Sequence, residues 1–156
     1  MHIPHITTER LLLHPFRIDD TSDLFAYASA PEFSQYVEYT SPQLLAEAQA
    51  FREHVLLSED PDQLSWAGCT RNQPNVIGTV QMTRDTPNSV TVHYDISHLH
   101  YGLGYTTEAI QAMLQWCLTN VPAVTLFLAD TMASNVGSQR VLEKCGFTHY
   151  KTAHVN

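Results

Sequence analysis

One stretch of the sequence constrains the fold more than any other, because a strand pattern, a glycine turn, a helix pattern and an apolar run follow one another. The segment from Ser89 to Ile96 predicts a strand, and Thr107 to Leu118 carries apolar residues at helical spacing. Gly102 and Gly104 lie between them, and Val124 to Ala129 is an apolar run that contains one threonine, Thr125. A continuous apolar run is typical of a buried strand that is parallel to its neighbour. This order therefore predicts a strand–helix–strand unit.

The segments around this unit predict the remaining elements of a mixed fold. Strands are predicted where apolar residues cluster or alternate between turn-forming residues, and helices where they recur every three or four positions. The two strands before Ser89 and the strand that begins there follow one another, which indicates an antiparallel meander. The other predicted strands are Leu11 to Leu13, Leu64 to Thr70, Val76 to Thr83 and Thr148 to Thr152, and the other predicted helices run from Asp19 or Asp20 to before Pro31, from a cap at Ser41 to Leu56, and from Val136 to Lys144.

The length of the chain fits one domain. It has 156 residues, which is typical of a single domain, and no internal repeat, low-complexity tract or linker divides it. We therefore expect residues 1–156 to form one α+β domain with a mixed, mostly antiparallel central sheet flanked by helices.

The charge and the cysteines of the chain indicate which partners and which compartment to expect. Eight basic and sixteen acidic side chains give a formal net charge of -8, which argues against nucleic acid or an anionic membrane as the main partner. No apolar run is long enough to span a membrane and no secretory signal is visible. The three cysteines form no CxxC pair. We expect a cytoplasmic protein with reduced thiols and a cationic substrate.

The glycines of the strand-to-helix turn suit a phosphate-binding site. Gly102 and Gly104 let the backbone bend and leave no side chain between its amides and a ligand, and free N–H groups at a helix start attract anions. The dinucleotide fingerprint GxGxxG is incomplete because Thr107 stands at its last position, and no GxxxxGK[ST] loop exists. A GxG turn alone is also compatible with a turn that only shapes the chain.

Three short motifs occur in order along the chain. The segment from Thr8 to Pro15 reads TERLLLHP, Gly102 to Ala109 reads GLGYTTEA, and Asn135 to Phe147 reads NVGSQRVLEKCGF. Together they resemble the TERLLLRP, GxGYATEA and NxxSxRVLEKxGF motifs of GNAT-superfamily N-acetyltransferases of the RimJ/RimL type. The resemblance covers nearly the whole chain and implies a GNAT-like α+β fold with a strand–helix–strand core that binds acetyl-CoA.

The resemblance implies acetyl-CoA as the cosubstrate and assigns residues to it. Its pyrophosphate would bind the backbone amides of about residues 101–106. Its pantetheine arm would lie like an added strand in a gap between the strands of about Val92 to Ser97 and Val124 to Asp130. Asn135 and Ser138 match family positions that face this arm and the thiol. The expected cofactor-binding residues are Ile96, Ser97, Tyr101, Gly102, Leu103, Gly104, Tyr105, Thr106, Asn135 and Ser138.

Acetyl transfer to an amine needs a base, a donor for the oxyanion and an acid for the departing thiolate. Strand alternation puts His93 and Asp95 on one face, where His93 could be the base and Asp95 could orient it. Both are also compatible with a structural or solvent-facing role. The backbone N–H near Ile96 is the candidate oxyanion donor. The resemblance implies Ser138 as the proton donor to sulfur, although a helix serine can instead bond to backbone.

The acceptor is not specified by the sequence. In the family, the region of Phe33 and Tyr36 borders the acceptor pocket, so these residues are the expected substrate contacts. The acceptor could be a protein N-terminal amine or a small-molecule amine. His93, His98 and His100 lack a metal-ligand spacing, and no metal is expected.

Two departures from the family pattern leave a second hypothesis open. Many relatives carry an acidic residue on the fourth strand where this chain has Thr91, and the chain ends at Asn156, nine residues after Phe147, where the family usually adds a strand. A non-catalytic acyl-CoA-binding or interaction module is therefore the alternative, and a nucleotide-binding regulatory domain would need phosphate motifs that are missing. Because an uncovered sheet edge attracts a neighbouring chain, we expect a homodimer.

Overall fold

The computed structural model describes residues 3–34 and 42–152, and these residues form strands, helices and two 3-10 turns. The strands are β1 (Ile6–Thr7), β2 (Leu11–Pro15), β3 (Gln63–Thr70), β4 (Gly78–Thr86), β5 (Ser89–Ile96) and β6 (Leu126–Leu128). The helices are α1 (Thr21–Ala28), α2 (Pro31–Ser34), α3 (Pro42–Leu56), α4 (Tyr105–Asn120) and α5 (Val136–Lys144). The 3-10 turns cover Ile18–Asp20 and His98–His100.

The six strands form one sheet in the sequential order β1 to β6. Neighbouring strands are antiparallel from β1 to β5. Strands β5 and β6 are parallel, because α4 carries the chain back between them. The predicted meander, the strand–helix–strand unit and the mixed, mostly antiparallel sheet are confirmed.

The core lies on both faces of the sheet. On one face, Val90 and Val92 of β5 pack with Ile110 and Met113 of α4, and each of these side chains is at most 2% exposed. On the other face, Leu24 of α1 lies in a second apolar cluster with residues of α3 and β3. Successive side chains of a strand point to opposite faces, so β5 presents alternate residues to the α4 side and to the α1 side.

Strands β5 and β6 stay together over only three residues each. The ladder joins Ser89, Val90 and Thr91 to Leu126–Leu128, while β4 accompanies β5 as far as Ile96. Within the described residues, the stretch from Val92 to Ile96 therefore has a strand neighbour on one edge alone. The free edge faces the gap that opens where β6 diverges, which is the place the resemblance implied for the pantetheine arm.

Two sequence expectations about the C-terminal part of the sheet are wrong. The apolar run from Val124 was expected to be a buried strand, but β6 is shorter and its Leu126 and Leu128 are 51% and 43% exposed. These side chains are exposed because β6 is the last strand of the sheet in the described part of the chain. The segment from Thr148 to Thr152 was expected to be a strand, but it is exposed and has no regular structure.

Other element boundaries follow the sequence closely. Strand β5 and helix α5 have the expected ends, whereas β1 and α2 were not expected. The Ser41 cap lies outside the described residues. In the parts of the chain that the structure covers, none of the helices has the length and apolarity needed to cross a membrane.

Candidate functional site

The turn between β5 and α4 is built on two glycines with left-handed backbone. Gly102 has a φ of 75° and Gly104 a φ of 82°, values that residues with a side chain rarely adopt. Gly104 is the N-cap of α4, and no side chain caps the helix there. The turn from Tyr101 to Gly104 is exposed.

This turn leaves a row of backbone donors without acceptors. The first hydrogen bond of α4 runs from the Glu108 N–H to the Gly104 carbonyl at 3.1 Å. The six N–H groups from Gly102 to Thr107 have no acceptor among the described residues. They lie at the positive end of the helix dipole. Free N–H groups at a helix start can bind phosphate, and these are the residues that were expected to bind it.

Arg10 binds a backbone carbonyl of this turn. Its Nη1 donates to the Leu103 carbonyl at 2.8 Å and its Nε to Glu108 Oε1 at 2.7 Å. The guanidinium also lies over the Tyr105 ring, 4.5 Å from the ring centre. Because the Leu103 carbonyl is bound on the Arg10 side, the turn cannot rotate without breaking this contact.

Glu108 is bound by the N-terminal segment on both of its oxygens. Its Oε2 accepts from the Thr8 hydroxyl at 2.5 Å and from the Arg10 backbone N–H at 2.9 Å. Burial pushes the pKa of Glu108 upward, but the hydrogen bonds from Thr8 and Arg10 outweigh it, so this pKa lies below its ordinary value. In return, the carboxylate raises the pKa of Arg10. We call Thr8, Arg10 and Glu108 the turn clamp.

The turn clamp was not found by sequence reasoning. Glu108 lies 98 positions from Arg10 and 100 from Thr8, and no local pattern links it to them. The available signal was that Thr8 and Arg10 belong to the first motif and Glu108 to the second. The structure shows that these two motifs are in contact.

The end of β5 offers a backbone donor to the gap. The Ser97 N–H donates to the Ile77 carbonyl at 2.7 Å, on the β4 side. Since successive N–H groups of an extended chain point to opposite edges, the Ile96 N–H is directed away from β4 and toward the gap. The Ser97 side chain is buried and caps the 3-10 turn by accepting from the Leu99 N–H. Ser97 therefore shapes the chain between β5 and the glycine turn.

On the α5 side of the gap, Asn135 and Ser138 come together with a residue that the sequence did not single out. The Asn135 side chain caps α5 by accepting from the Ser138 N–H at 3.0 Å. The Ser138 hydroxyl is hydrogen-bonded to the hydroxyl of Tyr94 on β5. The expected alternative, a serine hydroxyl bonded to helix backbone, is not what the described residues show.

His93 and Asp95 share one face of β5, as expected, but they are not paired. His93 is exposed and has no hydrogen-bond partner among the described residues. The Asp95 side chain is 7% exposed and accepts from Tyr27, Arg52 and Thr79. The expectation that Asp95 orients His93 is therefore wrong, because the lone pairs of its carboxylate point to α1, α3 and β4.

We call Asp95 with Tyr27, Arg52 and Thr79 the Asp95 cluster. It contacts Phe33, one of the two residues expected to contact the acceptor amine. The Arg52 guanidinium lies over the Phe33 ring at 4.8 Å, and Phe33 meets Tyr27 edge to face with ring centres 5.6 Å apart. Burial raises the pKa of Tyr27 well above its ordinary value, and the Asp95 carboxylate raises it further. Phe33 thus lies beside a half-exposed cation. Tyr36, the other expected substrate contact, lies outside the described residues.

No cluster of three His, Cys, Asp or Glu side chains that could hold a metal ion occurs in residues 3–34 and 42–152. Thr91, which stands where many relatives have an acid, donates its hydroxyl to Asp85 of β4. A carboxylate is thus present beside position 91, on the neighbouring strand.

Comparison with known proteins gives the family. A family model described as an acetyltransferase (GNAT) domain matches residues 10–148. The Uncharacterized N-acetyltransferase p20 of Bacillus licheniformis is 26% identical over 117 residues, which are 73% of this chain. The match covers 66% of that relative, so the chain spans slightly less than two thirds of its length.

Solved structures share the fold over almost the whole chain. An acetyltransferase of the GNAT family from Bacillus anthracis has a TM-score of 0.75 at 19% identity, covering 92% of this chain and 82% of its own. The aminoglycoside acetyltransferase AAC(6')-Ib in complex with coenzyme A has a TM-score of 0.73 at 18% identity, covering 92% of this chain and 87% of its own. At these identities the similarity concerns the fold.

The turn clamp predicts a pH-dependent contribution to stability. Because the pKa of Glu108 is lowered by folding, its carboxylate stabilises the fold above its ordinary pKa of about 4.3. This contribution is lost as the pH falls through the lower value of the folded state. Glu108→Gln should therefore be less stable than wild type at pH 7, and the difference should shrink below about pH 4.3.

Urea denaturation at a series of pH values measures this difference. Glu143→Gln, an exposed position on α5, is the control and should follow the wild type throughout. A difference between Glu108→Gln and wild type that grows toward acid pH would contradict the clamp.

Proposed function

Because the chain belongs to the GNAT acetyltransferase family, we propose that it transfers an acetyl group from acetyl-CoA to a primary amine. The observation that carries the proposal is the row of N–H groups from Gly102 to Thr107, which have no acceptor in residues 3–34 and 42–152 and lie in a turn held by the turn clamp. A pyrophosphate supplies the acceptors that these donors lack. The proposed pyrophosphate site also includes the other residues in and next to this turn, namely Tyr101, Leu103, Tyr105 and Thr106.

The free edge of β5 supports the rest of the cosubstrate site. An extended pantetheine arm can pair with the backbone groups of Val92 to Ile96 as an added strand would. The thioester carbonyl would then come to the Ile96 N–H, which is directed toward the gap. A fixed donor at that place stabilises the negative charge that develops on the carbonyl oxygen.

The amine must lose a proton before or during its attack. A lysine-like amine has a pKa of about 10.4 and is almost fully protonated at neutral pH. We assign the base to His93, acting directly or through one water, since its ring is exposed and free of other partners in the described residues. Asp95 contributes by holding Arg52 and Tyr27 on the acceptor side.

The acceptor would enter on the face of the sheet that carries Phe33 and Arg52. The net charge of -8 favours a cationic amine. Both a protein N-terminus, to which the RimJ/RimL resemblance points, and a small-molecule amine fit this description. A panel that contains short peptides, polyamines, amino acids and amino sugars distinguishes them by thiol release from acetyl-CoA.

A non-catalytic acyl-CoA-binding module of the same fold is the second candidate. The observation in its favour is that Thr91 replaces the acid that many relatives carry on this strand. The same panel decides between the two. Binding of acetyl-CoA without thiol release for any amine would favour the module.

The glycine turn gives a direct test of cosubstrate binding. Gly102 and Gly146 both have positive φ, and a Cβ added at either meets nothing within 4 Å. Alanine at each position should cost a similar amount of stability, about 1 to 2 kcal/mol. Only Gly102→Ala should weaken CoA binding, by about tenfold or more, which corresponds to about 1.4 kcal/mol.

Isothermal titration with CoA and thermal unfolding of both variants measure these effects. Gly146→Ala serves as the control for backbone strain. Equal CoA affinity in a folded Gly102→Ala variant and in wild type would contradict binding at the turn.

The base assignment predicts a change in pH dependence. A histidine base must be neutral to accept a proton, so it produces an acidic limb in the profile of kcat/KM. His93→Ala should lose this limb, while His54→Ala, an exposed position on α3, should keep it. Identical pH profiles of kcat/KM for His93→Ala and wild type would contradict His93 as the base and indicate that solvent accepts the proton.

The exposed edge of β6 supports the proposal of a homodimer. Leu126 is 51% exposed there, and Leu118 on α4 is 52% exposed. A lysine on a sheet edge opposes pairing with another chain. Leu126→Lys should therefore convert a dimer to a monomer, whereas Leu118→Lys should not.

Sedimentation velocity at micromolar concentration measures the oligomeric state of all three proteins. A monomeric wild type, or dissociation by both lysine variants alike, would contradict pairing through β6.

A further inference from the structure

The hydroxyl of Tyr94 reaches across the gap side of β5 to α5. It is within hydrogen-bond distance of the Ser138 hydroxyl and lies 3.4 Å from the Ser138 carbonyl oxygen. Tyr94 belongs to the stretch of β5 that has a free edge, and its ring packs against the core under α4. The pair therefore joins α5 to the stretch of β5 whose edge is free.

The Tyr94 hydroxyl has two acceptors on Ser138, the Oγ and, at 3.4 Å, the carbonyl oxygen. The Ser138 N–H is bound by Asn135 Oδ1 at 3.0 Å, which holds the first turn of α5 in place. Among the described residues, Tyr94 is the only side chain hydrogen-bonded to the Ser138 hydroxyl. When the Tyr94 hydroxyl donates to Ser138 Oγ, the hydrogen of Ser138 is left for a partner in the gap.

Burial favours the protonated form of the phenol. It raises the pKa of Tyr94 above the ordinary value, and the hydrogen bond with Ser138 only partly opposes this. The phenol therefore keeps its hydrogen over the range in which proteins are assayed. A donor in this state is available to Ser138 at neutral pH.

A serine hydroxyl by itself is a poor acid for a thiolate. A thiol of the cysteine type has a pKa of about 8.5 and a phenol about 10, whereas an aliphatic alcohol does not ionise in this range. A phenol behind the serine is a stronger acid than the serine alcohol, even with the pKa that burial raises. Proton transfer through the serine then avoids a free alkoxide.

We propose that Tyr94 is a positioning residue that supplies the departing thiolate with a proton through Ser138, an inference that rests on the proposed acetyl transfer. The amine nitrogen bonds to the acetyl carbon, and the carbon–sulfur bond breaks with its electron pair on sulfur. Sulfur takes the hydrogen of Ser138 Oγ, which takes that of Tyr94 Oη. The amine releases a proton to His93, directly or through one water, and His93 passes it to solvent. Tyr94 regains a proton from solvent, so no other reactant is consumed.

The main experiment is a double-mutant cycle on turnover. Tyr94→Phe, Ser138→Ala and the double variant are assayed for thiol release, with CoA affinity and thermal unfolding measured in parallel. Tyr94→Phe should lower kcat by about 10- to 100-fold while the Kd for CoA and the KM for acetyl-CoA stay at wild-type values. The double variant should be no slower than Ser138→Ala, because the two residues act in series.

A fluorinated tyrosine at position 94 provides a readout that a structural role would not change. Fluorine lowers the pKa of the phenol and keeps the hydroxyl. The alkaline limb of kcat should therefore move to lower pH. The same substitution at the exposed Tyr150 is the control and should leave the profile unchanged.

The outcomes separate the relay from the proposed function. Two results would overturn the role of Tyr94 and leave the proposed acetyl transfer intact. One is a Tyr94→Phe variant with the kcat of an active wild type. The other is a double variant whose loss of kcat is the product of the two single losses. A loss of CoA affinity equal to the loss of kcat would assign Tyr94 to binding and overturn it as well. A wild type that binds CoA and releases no thiol, with any amine or with water, would overturn both.

Discussion

The candidate site depends on keeping a row of backbone donors unpaired at the start of a helix. A free chain would satisfy such groups with water, a side-chain cap or a tighter turn. Here the two left-handed glycines exclude a regular helical start, and no side chain caps α4. Arg10 and Glu108 hold the opposite side of the turn through charged hydrogen bonds. The donors are thereby directed outward before any ligand arrives, which lowers the cost of ordering them on binding.

The sheet supplies the second requirement, a strand with one free edge. Strand β5 is held along its length by β4 but by β6 only over its first residues. A strand that is rigid on one side and open on the other can accept an extended ligand without moving. The Ile96 N–H and the Tyr94 hydroxyl lie on that same strand, so the proposed donors for the carbonyl oxygen and for the sulfur belong to one strand.

Much of the fold could be predicted because the signals were local. The ends of β5 follow from the turn before Ser89 and from the alternation of its side chains, and α5 is bounded by Asn135 and Gly146. The buried character of β6 could not be predicted, because the composition of an apolar run does not reveal whether a neighbour covers it. Alternation placed His93 and Asp95 on one face correctly. It could not show that Arg52, on a helix over 40 positions earlier, binds Asp95.

The Asp95 cluster joins helices α1 and α3 to the strand that precedes the glycine turn. Tyr27 and Arg52 come from these helices and end on one carboxylate, whereas α4 and α5 pack on the other face of the sheet. The two faces of the sheet are therefore joined through β5, and α2 also contacts the glycine turn, where the Tyr101 hydroxyl donates to the Glu32 carbonyl. Substitutions in α1 to α3 can accumulate while the contacts at Asp95 and Glu32 are kept, because these contacts connect the helices to the strand and the turn. Such a layout lets a lineage exchange one recognition surface for another without rebuilding its chemistry.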